Sequence, residues 1–325
     1  MRISQAEKME IIRIVENSPI GAKRTLKELD INRSTFYNWY GKYLKDGYDG
    51  LADKKPNRKS FWNRIPQKIR EQVVDVSLDM PEKSPREIAM FYTDHYHYHI
   101  SESSVYRILK KRGLIAQAVY AVQPAADEFK DKTTRINEIW QTDFTYFKVL
   151  GWGWYYLSTI LDDYSRFIVS WRLCNTMKKE DVQNTVTDAL MAYHIPREQR
   201  PRLLSDNGAC YIAGKLKEFL EIRGIDQVHG APFHPQTQGK IERYHRSMKI
   251  VLLQDNHFSP EYLEIDIRAW VNYYNNERYH ESLNNLTPAD IYFGRAEQRL
   301  RERADIKRKT MEERRRIYQQ QKEAS

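Results

Sequence analysis

The first 115 residues carry apolar positions three and four residues apart, which is the spacing of short amphipathic helices. Ser4 and Glu7 form a capping box ahead of the first apolar stripe. A second helix is predicted over 22–29, and a third begins at Arg33. The opening of the chain is therefore expected to be a small unit of three helices.

The same three-helix pattern returns after a basic linker, 51–63. Apolar residues at helical spacing predict a helix over 66–80, and Ser84–Glu87 is a second capping box with proline at the first helical position. A final helix opens at Ser101 and stops at Gly113. Two helical units of one kind thus follow each other along the chain.

From residue 136 the pattern changes to apolar and aromatic runs separated by short turns, which predict strands. Three antiparallel strands come first, and helices then alternate with two short strands. This is the order of a ribonuclease-H-like α/β domain. The predicted fold class is a ribonuclease-H-like α/β catalytic core preceded by all-α tandem helix-turn-helix units. The predicted elements are strands 136–149, 154–163 and 166–174, helix 179–194, strand 202–205, helix 214–223, strand 225–229 and a long helix 240–254.

Composition excludes several classes of protein. The 325 residues are 41% hydrophobic with many aromatics, enough for a packed core rather than a disordered chain. No apolar run is long enough to cross a membrane, and the amino terminus has no signal-peptide pattern. Cys174 and Cys210 stand far apart, which excludes a disulfide framework and a cysteine zinc finger. We expect a cytoplasmic, bacterial, nucleoid-associated protein.

Positive charge is concentrated at the two ends of the chain. The formal net charge is +9, yet the middle, 131–294, holds 19 basic and 21 acidic residues. Residues 1–60 and 295–325 each carry a net charge of +5. Basic ends suggest a polyanion such as nucleic acid as partner. Because apolar residues are sparse after 295, the tail is expected to be an exposed basic helix or a disordered arm that adds phosphate contacts.

The third helix of each helical unit is the candidate DNA-reading helix. Each opens with polar side chains that would reach base edges, as in a helix-turn-helix unit, and the second ends in cations that would face phosphate. A helical bundle that only packs is the alternative. The predicted base contacts are Arg33, Ser34, Thr35, Asn38, Ser103, Ser104 and Arg107, and the predicted phosphate contacts are Lys110 and Lys111.

Two further groups of residues invite a metal site, and both are better explained structurally. His95, His97 and His99 alternate, but no cysteine or carboxylate completes a zinc site, so they are expected at a helix end and the following turn. Asp162 and Asp163 form a carboxylate pair that is expected to cap a tight turn.

Three acids stand at positions that indicate chemistry. Asp143 lies in the middle of an apolar strand, Asp206 follows a buried strand at a glycine turn, and Glu242 lies on the first turn of the long helix. Arg246 and Lys249 share a helix face with Glu242. Carboxylates of this kind suit Mg²⁺ or Mn²⁺ rather than zinc. Taken singly, each acid also has a structural explanation as a paired strand residue, a turn cap or a helix-start acid.

The segments around these acids, WQTDFTY, SDNGACY and HPQTQGKIERYHRSMK, resemble the three catalytic motifs of DDE transposases of the retroviral-integrase superfamily. Thirty-five residues separate Asp206 from Glu242, the spacing typical of that group, and Lys249 follows seven residues after Glu242. The segment WVNYYNNERYHESLNNLTPADIYFG resembles the end of the integrase core in bacterial insertion-sequence transposases. The likeness is close over 136–294 and looser over the helical front.

The resemblance implies a polynucleotidyl transferase that binds insertion-sequence ends, nicks them and joins them to target DNA. It implies that Asp143, Asp206 and Glu242 are catalytic residues holding two Mg²⁺ or Mn²⁺ ions. Its implied partner is double-stranded DNA, as element terminal inverted repeats and target, with a homodimer or higher oligomer on the paired ends. The residues expected to position phosphates are Asn207, Gln238, Lys240, Arg246 and Lys249.

Two other functions stay open at this point. One is a catalytically silent helix-turn-helix regulator derived from a transposase, and the other is a ribonuclease-H-type nuclease without strand transfer. The predicted division of the chain is a helix-turn-helix unit (1–50), a basic linker (51–63), a second helix-turn-helix unit (64–116), a linker (117–135), an integrase-like catalytic core (136–294) and a basic tail (295–325).

Overall fold

The computed structural model describes residues 3–52, 61–115, 133–212, 214–229 and 238–323. Most of the two predicted linkers therefore lies outside the described residues. The chain divides into two compact units, Met1–Trp62 and Asn63–Ser325. The second unit holds both the second group of helices and the sheet, so the boundary predicted between them stays a prediction.

The first unit is a bundle of three helices, α1 (Gln5–Glu16), α2 (Ala22–Glu28) and α3 (Arg33–Asp46). Ser4 and Glu7 form the predicted capping box, and Asn32 caps α3 by accepting from the Ser34 N–H. A short 3₁₀ turn, Gly47–Leu51, closes the bundle. The fully buried apolar side chains at its centre are Ile12, Leu26, Phe36 and Leu51.

The second group of helices opens the larger unit and comprises α4 (Gln67–Asp79), α5 (Pro85–Tyr96) and α6 (Glu102–Lys111). Ser84 and Glu87 form the predicted capping box of α5. His97 ends α5 in the left-handed conformation, so the alternating histidines lie at a helix end and turn as expected. The core of this group, which we call the second helical unit, is built from Val73, Ile88, Tyr92, Val105 and Leu109.

A five-stranded mixed sheet forms the centre of the larger unit, in the order β3-β2-β1-β4-β5. The antiparallel strands β1 (Ile139–Val149), β2 (Gly153–Asp162) and β3 (Ile168–Cys174) are followed by the parallel strands β4 (Arg202–Ser205) and β5 (Gln227–His229). β4 pairs with β1 only over 139–141, so the rest of β1 lies past the end of β4. This topology confirms the predicted fold class.

Helices cover both faces of the sheet. One face packs its apolar side chains, including Trp140 and Ile160, against α7 (Lys179–Tyr193) and α9 (Gly214–Ile222). The other face packs Phe147 and Leu157 against α10 (Gly239–Leu252) and α11 (Pro260–Asn276). The remaining short helices are α8 (Ala209–Ile212) and α12 (Pro288–Tyr292). Within the described residues no helix is long and apolar enough to cross a membrane.

The tail is a 28-residue helix, α13 (Ala296–Glu323), and it packs on the second helical unit. Arg314 is buried and donates to the Tyr98 hydroxyl, the Asn63 side chain and the His99 carbonyl, each at 2.8 Å. Thr310 is also buried and accepts from the His99 N–H at 2.9 Å. The expectation of an exposed or disordered arm was therefore wrong for this face of the helix. Because apolar residues are sparse on α13, hydrogen bonds attach this helix to the second helical unit.

Candidate active site

Asp143 is held in one orientation by two donors. Its Oδ1 accepts the N–H of Phe144 at 2.8 Å, and its Oδ2 lies 3.3 Å from Nδ1 of His245 on α10. The carboxylate is partly exposed, with 24% of the side chain accessible, on the sheet face that α10 covers. A charge in the middle of this aromatic strand is thus both hydrogen-bonded and open to solvent, as a site for a ligand requires.

Asp206 follows directly after β4 and closes a tight turn. Its Oδ1 accepts the N–H of Gly208 at 2.9 Å. A Cβ on Gly208 would lie only 2.9 Å from that same oxygen, so a side chain at this position would displace the carboxylate. Glycine is therefore the residue that fits at position 208 without moving the carboxylate. The turn presents an exposed Asp206 at the start of α8.

The negative charges of Asp143 and Asp206 act on the same two side chains of α8, Cys210 and Tyr211. Burial raises the pKa of the Cys210 thiol, and the negative charges of Asp206 and Asp143 raise it further. Burial also raises the pKa of Tyr211 well above its usual value, and the same two carboxylates add to that shift. Because β1 and β4 are parallel neighbours, the two acids lie near each other at the end of β4.

Glu242 is exposed on the first turn of α10, as predicted. Across the described residues, no group of three or more His, Cys, Asp or Glu side chains is arranged to hold a metal ion. The structure thus associates Asp143 with Asp206 and presents Glu242 on the helix that contacts Asp143 through His245, without closing a three-carboxylate cluster.

The start of α10 is fixed by residues that the sequence assigned to DNA. Gln238 is buried, and its Nε2 donates to the carbonyls of Thr142 and Leu204, both at 3.3 Å. The ammonium of Lys240 lies 2.6 Å from Oδ2 of Asp163. Gln238 thus bridges β1 and β4, and Lys240 pairs within the protein, while their role as phosphate contacts stays a prediction. The sequence alone could not show that Gln238 and Lys240 have these partners within the protein.

Asp162 and Asp163 are structural, as expected. Asp162 is fully buried and accepts from the Ser165 N–H at 2.8 Å, which caps the turn after β2. Burial raises the pKa of Asp162, although the Ser165 hydrogen bonds oppose that shift. Asp163 accepts from Thr133 and Gln141, both at 2.6 Å, as well as from Lys240. These carboxylates stabilise the turn beside the site.

Other predicted side chains of α10 and of the turn after β4 lie at the surface of the site. Arg246 and Asn207 are exposed. The Lys249 ammonium lies 4.2 Å from the centroid of the exposed Tyr146 ring. Partial burial lowers the pKa of Lys249, and the charge of Asp143 opposes that shift. Lys249 therefore interacts electrostatically with Asp143 and lies at the edge of the site.

His245 is a residue of the candidate site that sequence reasoning missed. It is 6% exposed, and it contacts both Asp143 and Thr159. The available signal was its position three residues after Glu242 on a helix predicted to face the acids.

The reading helices keep their predicted polar residues exposed or partly exposed at their N-terminal ends. Ser34 bonds to the Asn32 side chain through its N–H and hydroxyl, and Arg107 donates to the Ser103 carbonyl at 2.9 Å. The Lys110 ammonium lies 5.6 Å from the centroid of the Tyr106 ring, and Lys111 is exposed. The remaining predicted contacts, Thr35, Asn38 and Ser104, lie on the same two helices with Arg33.

Three sequence models of known domains match the chain. The integrase core domain matches over residues 133–235 and again, as a second model, over 223–288. A homeodomain-like domain matches over 35–109. Together with the sheet order, these matches define an integrase core preceded by homeodomain-like helices. Residues 133–288 of the chain are thus similar to the integrase core domain.

The chain is also similar to bacterial insertion-sequence transposases, which confirms the predicted relationship. It is 26% identical to the transposase of insertion sequence element IS904 from Lactococcus lactis, over 49% of this chain and 63% of that protein. It is 27% identical to the IS629 transposase of Shigella sonnei, over 48% of this chain and 52% of that protein. The match to the Gag-Pro-Pol polyprotein of simian retrovirus SRV-1 is 30% identical over 36% of this chain and 6% of the polyprotein.

Solved structures similar to the chain are retroviral integrases. The simian T-cell lymphotropic virus intasome, in complex with PP2A regulatory subunit B56 gamma, matches with a TM-score of 0.44 and 16% identity, over 68% of this chain and 74% of that chain. The HTLV-2 integrase catalytic core domain in complex with magnesium matches with a TM-score of 0.37 and 20% identity, over 49% of this chain and 97% of that chain.

Proposed function

We propose that this chain is a DDE-type transposase, which binds the ends of an insertion element and catalyses metal-dependent DNA nicking and strand transfer. The observation that carries the proposal is the pairing of β1 with β4, which brings Asp143 and Asp206 together beside the helix that bears Glu242. Similarity to the integrase core domain and to insertion-sequence transposases supports DNA transposition and integration as the overall process.

The donor set fits a hard divalent cation. Carboxylate oxygens are the ligands that Mg²⁺ and Mn²⁺ prefer, and Asp143 and Asp206 offer partly or fully exposed oxygens at one place. Asp143 and Asp206 would hold the ions, and Glu242 would complete the set. Bound there, the metal would lower the pKa of the attacking water or 3′-hydroxyl and stabilise the leaving 3′ oxygen.

The remaining residues of the chain would bind and orient DNA. Arg246, Lys249 and Asn207 lie at the surface around the acids and would contact phosphates. The polar openings of α3 and α6 would read the terminal inverted repeats, because a homeodomain-like match over 35–109 includes most of both helices. The predicted assembly on paired ends is a homodimer or higher oligomer.

The test is an oligonucleotide assay with the full chain, Mn²⁺ or Mg²⁺, a labelled terminal-repeat duplex and a target duplex. Asp143→Asn, Asp206→Asn and Glu242→Gln should each remove nicking and joining while end binding persists, because the amides keep the size but lose the charge that holds the ions. Glu218→Gln, an exposed acid on α9, is the matched control and should retain both reactions.

Each rival function has its own outcome in this assay. A wild-type chain that binds ends but never nicks would point to a silent regulator. Nicking without joining would point to a ribonuclease-H-type nuclease. Retained strand transfer in Glu242→Gln would remove Glu242 from the site.

A further inference from the structure

The His245 imidazole lies across the paired strands β1 and β2. Its Nδ1 is 3.3 Å from Oδ2 of Asp143, and its Nε2 is 3.1 Å from Oγ1 of Thr159. Asp143 and Thr159 are direct cross-strand partners, so one ring spans both. Thr159 is fully buried and His245 nearly so. The imidazole is therefore fixed at both nitrogens within the protein.

The partners determine which nitrogen carries the proton of a neutral ring. A carboxylate only accepts hydrogen bonds, so Nδ1 must donate to Asp143, and Nε2 then accepts from the Thr159 hydroxyl. The other oxygen of Asp143 accepts the Phe144 N–H. Each carboxylate oxygen thus has one protein donor and keeps a lone pair for a further ligand.

The position of His245 also connects two of the proposed catalytic residues. His245 and Glu242 are three residues apart on α10, so they lie about one turn from each other on the same helix. A contact between His245 and Asp143 therefore fixes the helix that bears Glu242 against the strand that bears Asp143. Removing a partner that orients a metal-binding side chain typically costs about 10–100-fold in metal affinity or activity.

We propose that His245 is a positioning residue, which orients the Asp143 carboxylate for a divalent cation and seats α10 on β1 and β2, without touching substrate. The proposal rests on the proposed function, because it assumes that Asp143 binds the metal. It predicts that the Nδ1 donor is the part of the side chain that matters most.

Two amide substitutions separate the two ring nitrogens. The amide nitrogen of asparagine lies as many bonds from Cα as Nδ1 does, and that of glutamine as many as Nε2. His245→Asn should keep the donor to Asp143 and hold Mn²⁺ close to the wild-type affinity. His245→Gln keeps only the reach toward Thr159 and should weaken Mn²⁺ binding roughly 10–100-fold. The measurement is calorimetric titration of Mn²⁺ into the full chain without DNA.

The Mn²⁺ dependence of nicking is the second readout. His245→Gln should raise the Mn²⁺ concentration for half-maximal rate more than it lowers the maximal rate, whereas a loss of folding alone would lower the maximal rate and leave that concentration unchanged. Thr159→Val removes the partner of Nε2 and should weaken Mn²⁺ binding in the same direction, because the favoured tautomer loses its anchor. If His245→Gln fails to fold, as judged by thermal unfolding, His245→Asn and Thr159→Val still carry the test.

The outcomes separate this proposal from the function on which it rests. If Asp143→Asn binds Mn²⁺ as the wild type does, the metal site itself is wrong. If Asp143→Asn loses binding while the asparagine and glutamine variants of His245 bind equally well, the positioning role is overturned. An unchanged affinity in Thr159→Val would overturn the tautomer assignment.

Discussion

Replacing Arg303 with methionine tests how α13 is attached to the rest of its unit. The guanidinium donates to Asp94 of α5 from Nε at 2.8 Å and from Nη2 at 2.6 Å. Its Nη1 donates to the Asn285 carbonyl at 2.8 Å, and the Tyr279 hydroxyl donates to the same Asp94 carboxylate. The two charged side chains are only 12% and 16% exposed, so water screens the pair little.

The structure sets the size of the expected loss. Removing one partner of a buried ion pair costs about 3–5 kcal/mol, because the other charge stays buried. Asp94 keeps the hydrogen bond from Tyr279, so we expect the lower end, about 3 kcal/mol. In a domain of this size each 1 kcal/mol moves Tm by about 2–4 °C, so the Asn63–Ser325 unit should melt roughly 6–12 °C lower.

Thermal unfolding followed by circular dichroism measures this change. Arg301→Met is the matched control, since Arg301 pairs with Glu297 on the same helix but both side chains are mostly exposed. That pair should contribute at most about 1 kcal/mol. Asp94→Asn and the double variant complete a cycle, in which the second substitution should cost little once the first is made. Equal melting temperatures for Arg303→Met and Arg301→Met would refute a buried anchoring role.

Three further results are expected. Burial, together with the charges of Lys307 and Arg314, lowers the pKa of His99 from 6.5 to about 4, so between these pH values His99 is neutral in the folded chain and binds a proton in the unfolded chain. The contribution of His99 to stability should therefore be complete above pH 6.5 and be lost as the pH falls toward 4. In His99→Gln the urea midpoint should vary less with pH over that interval, and a steeper dependence in the variant would contradict the assignment. In competition binding across a salt series, Arg33→Ala should reduce preference for the terminal repeat by ~1–3 kcal/mol, whereas Lys111→Ala should weaken binding to all duplexes alike; the opposite pattern would reverse the assigned roles. Deleting residues 296–325 should lower the melting temperature of the larger unit as well as the salt dependence of DNA binding, and unchanged melting would show that α13 contributes no stability.

Local patterns predicted the elements well, because caps and strand ends depend on neighbouring residues. The capping boxes at Ser4 and Ser84 form as predicted, and β4 begins and ends where its apolar run does. On α10 the apolar side chains of Ile241 and Met248 are buried, whereas that of Val251 is 43% exposed. His245 takes a buried position instead, since Asp143 and Thr159 satisfy its ring nitrogens.

What the sequence could not show depends on partners far along the chain. Gln238 and Lys240 are polar residues beside a loop, and their pattern is the same whether they meet DNA or, as here, strand carbonyls and Asp163. The sequence predicts Arg303 and Arg314 as surface cations, whereas in the structure they contact α5 and the turn after it. The three acids stay predictions from motif spacing, and spacing cannot indicate the contacts that orient Asp143 and Asp206.

The attachment of α13 determines when, during synthesis of the chain, the second helical unit becomes fully stable. Arg303 and Arg314 reach back 209 and 216 residues to Asp94 and Tyr98, so the second helical unit receives these contacts only after α13 has left the ribosome. Such distant contacts form late, because closing a long loop costs entropy before they add stability. A nascent chain therefore presents helices α4–α6 for most of its synthesis without their last supporting element. That unit becomes fully stable only after the whole five-stranded sheet has been translated.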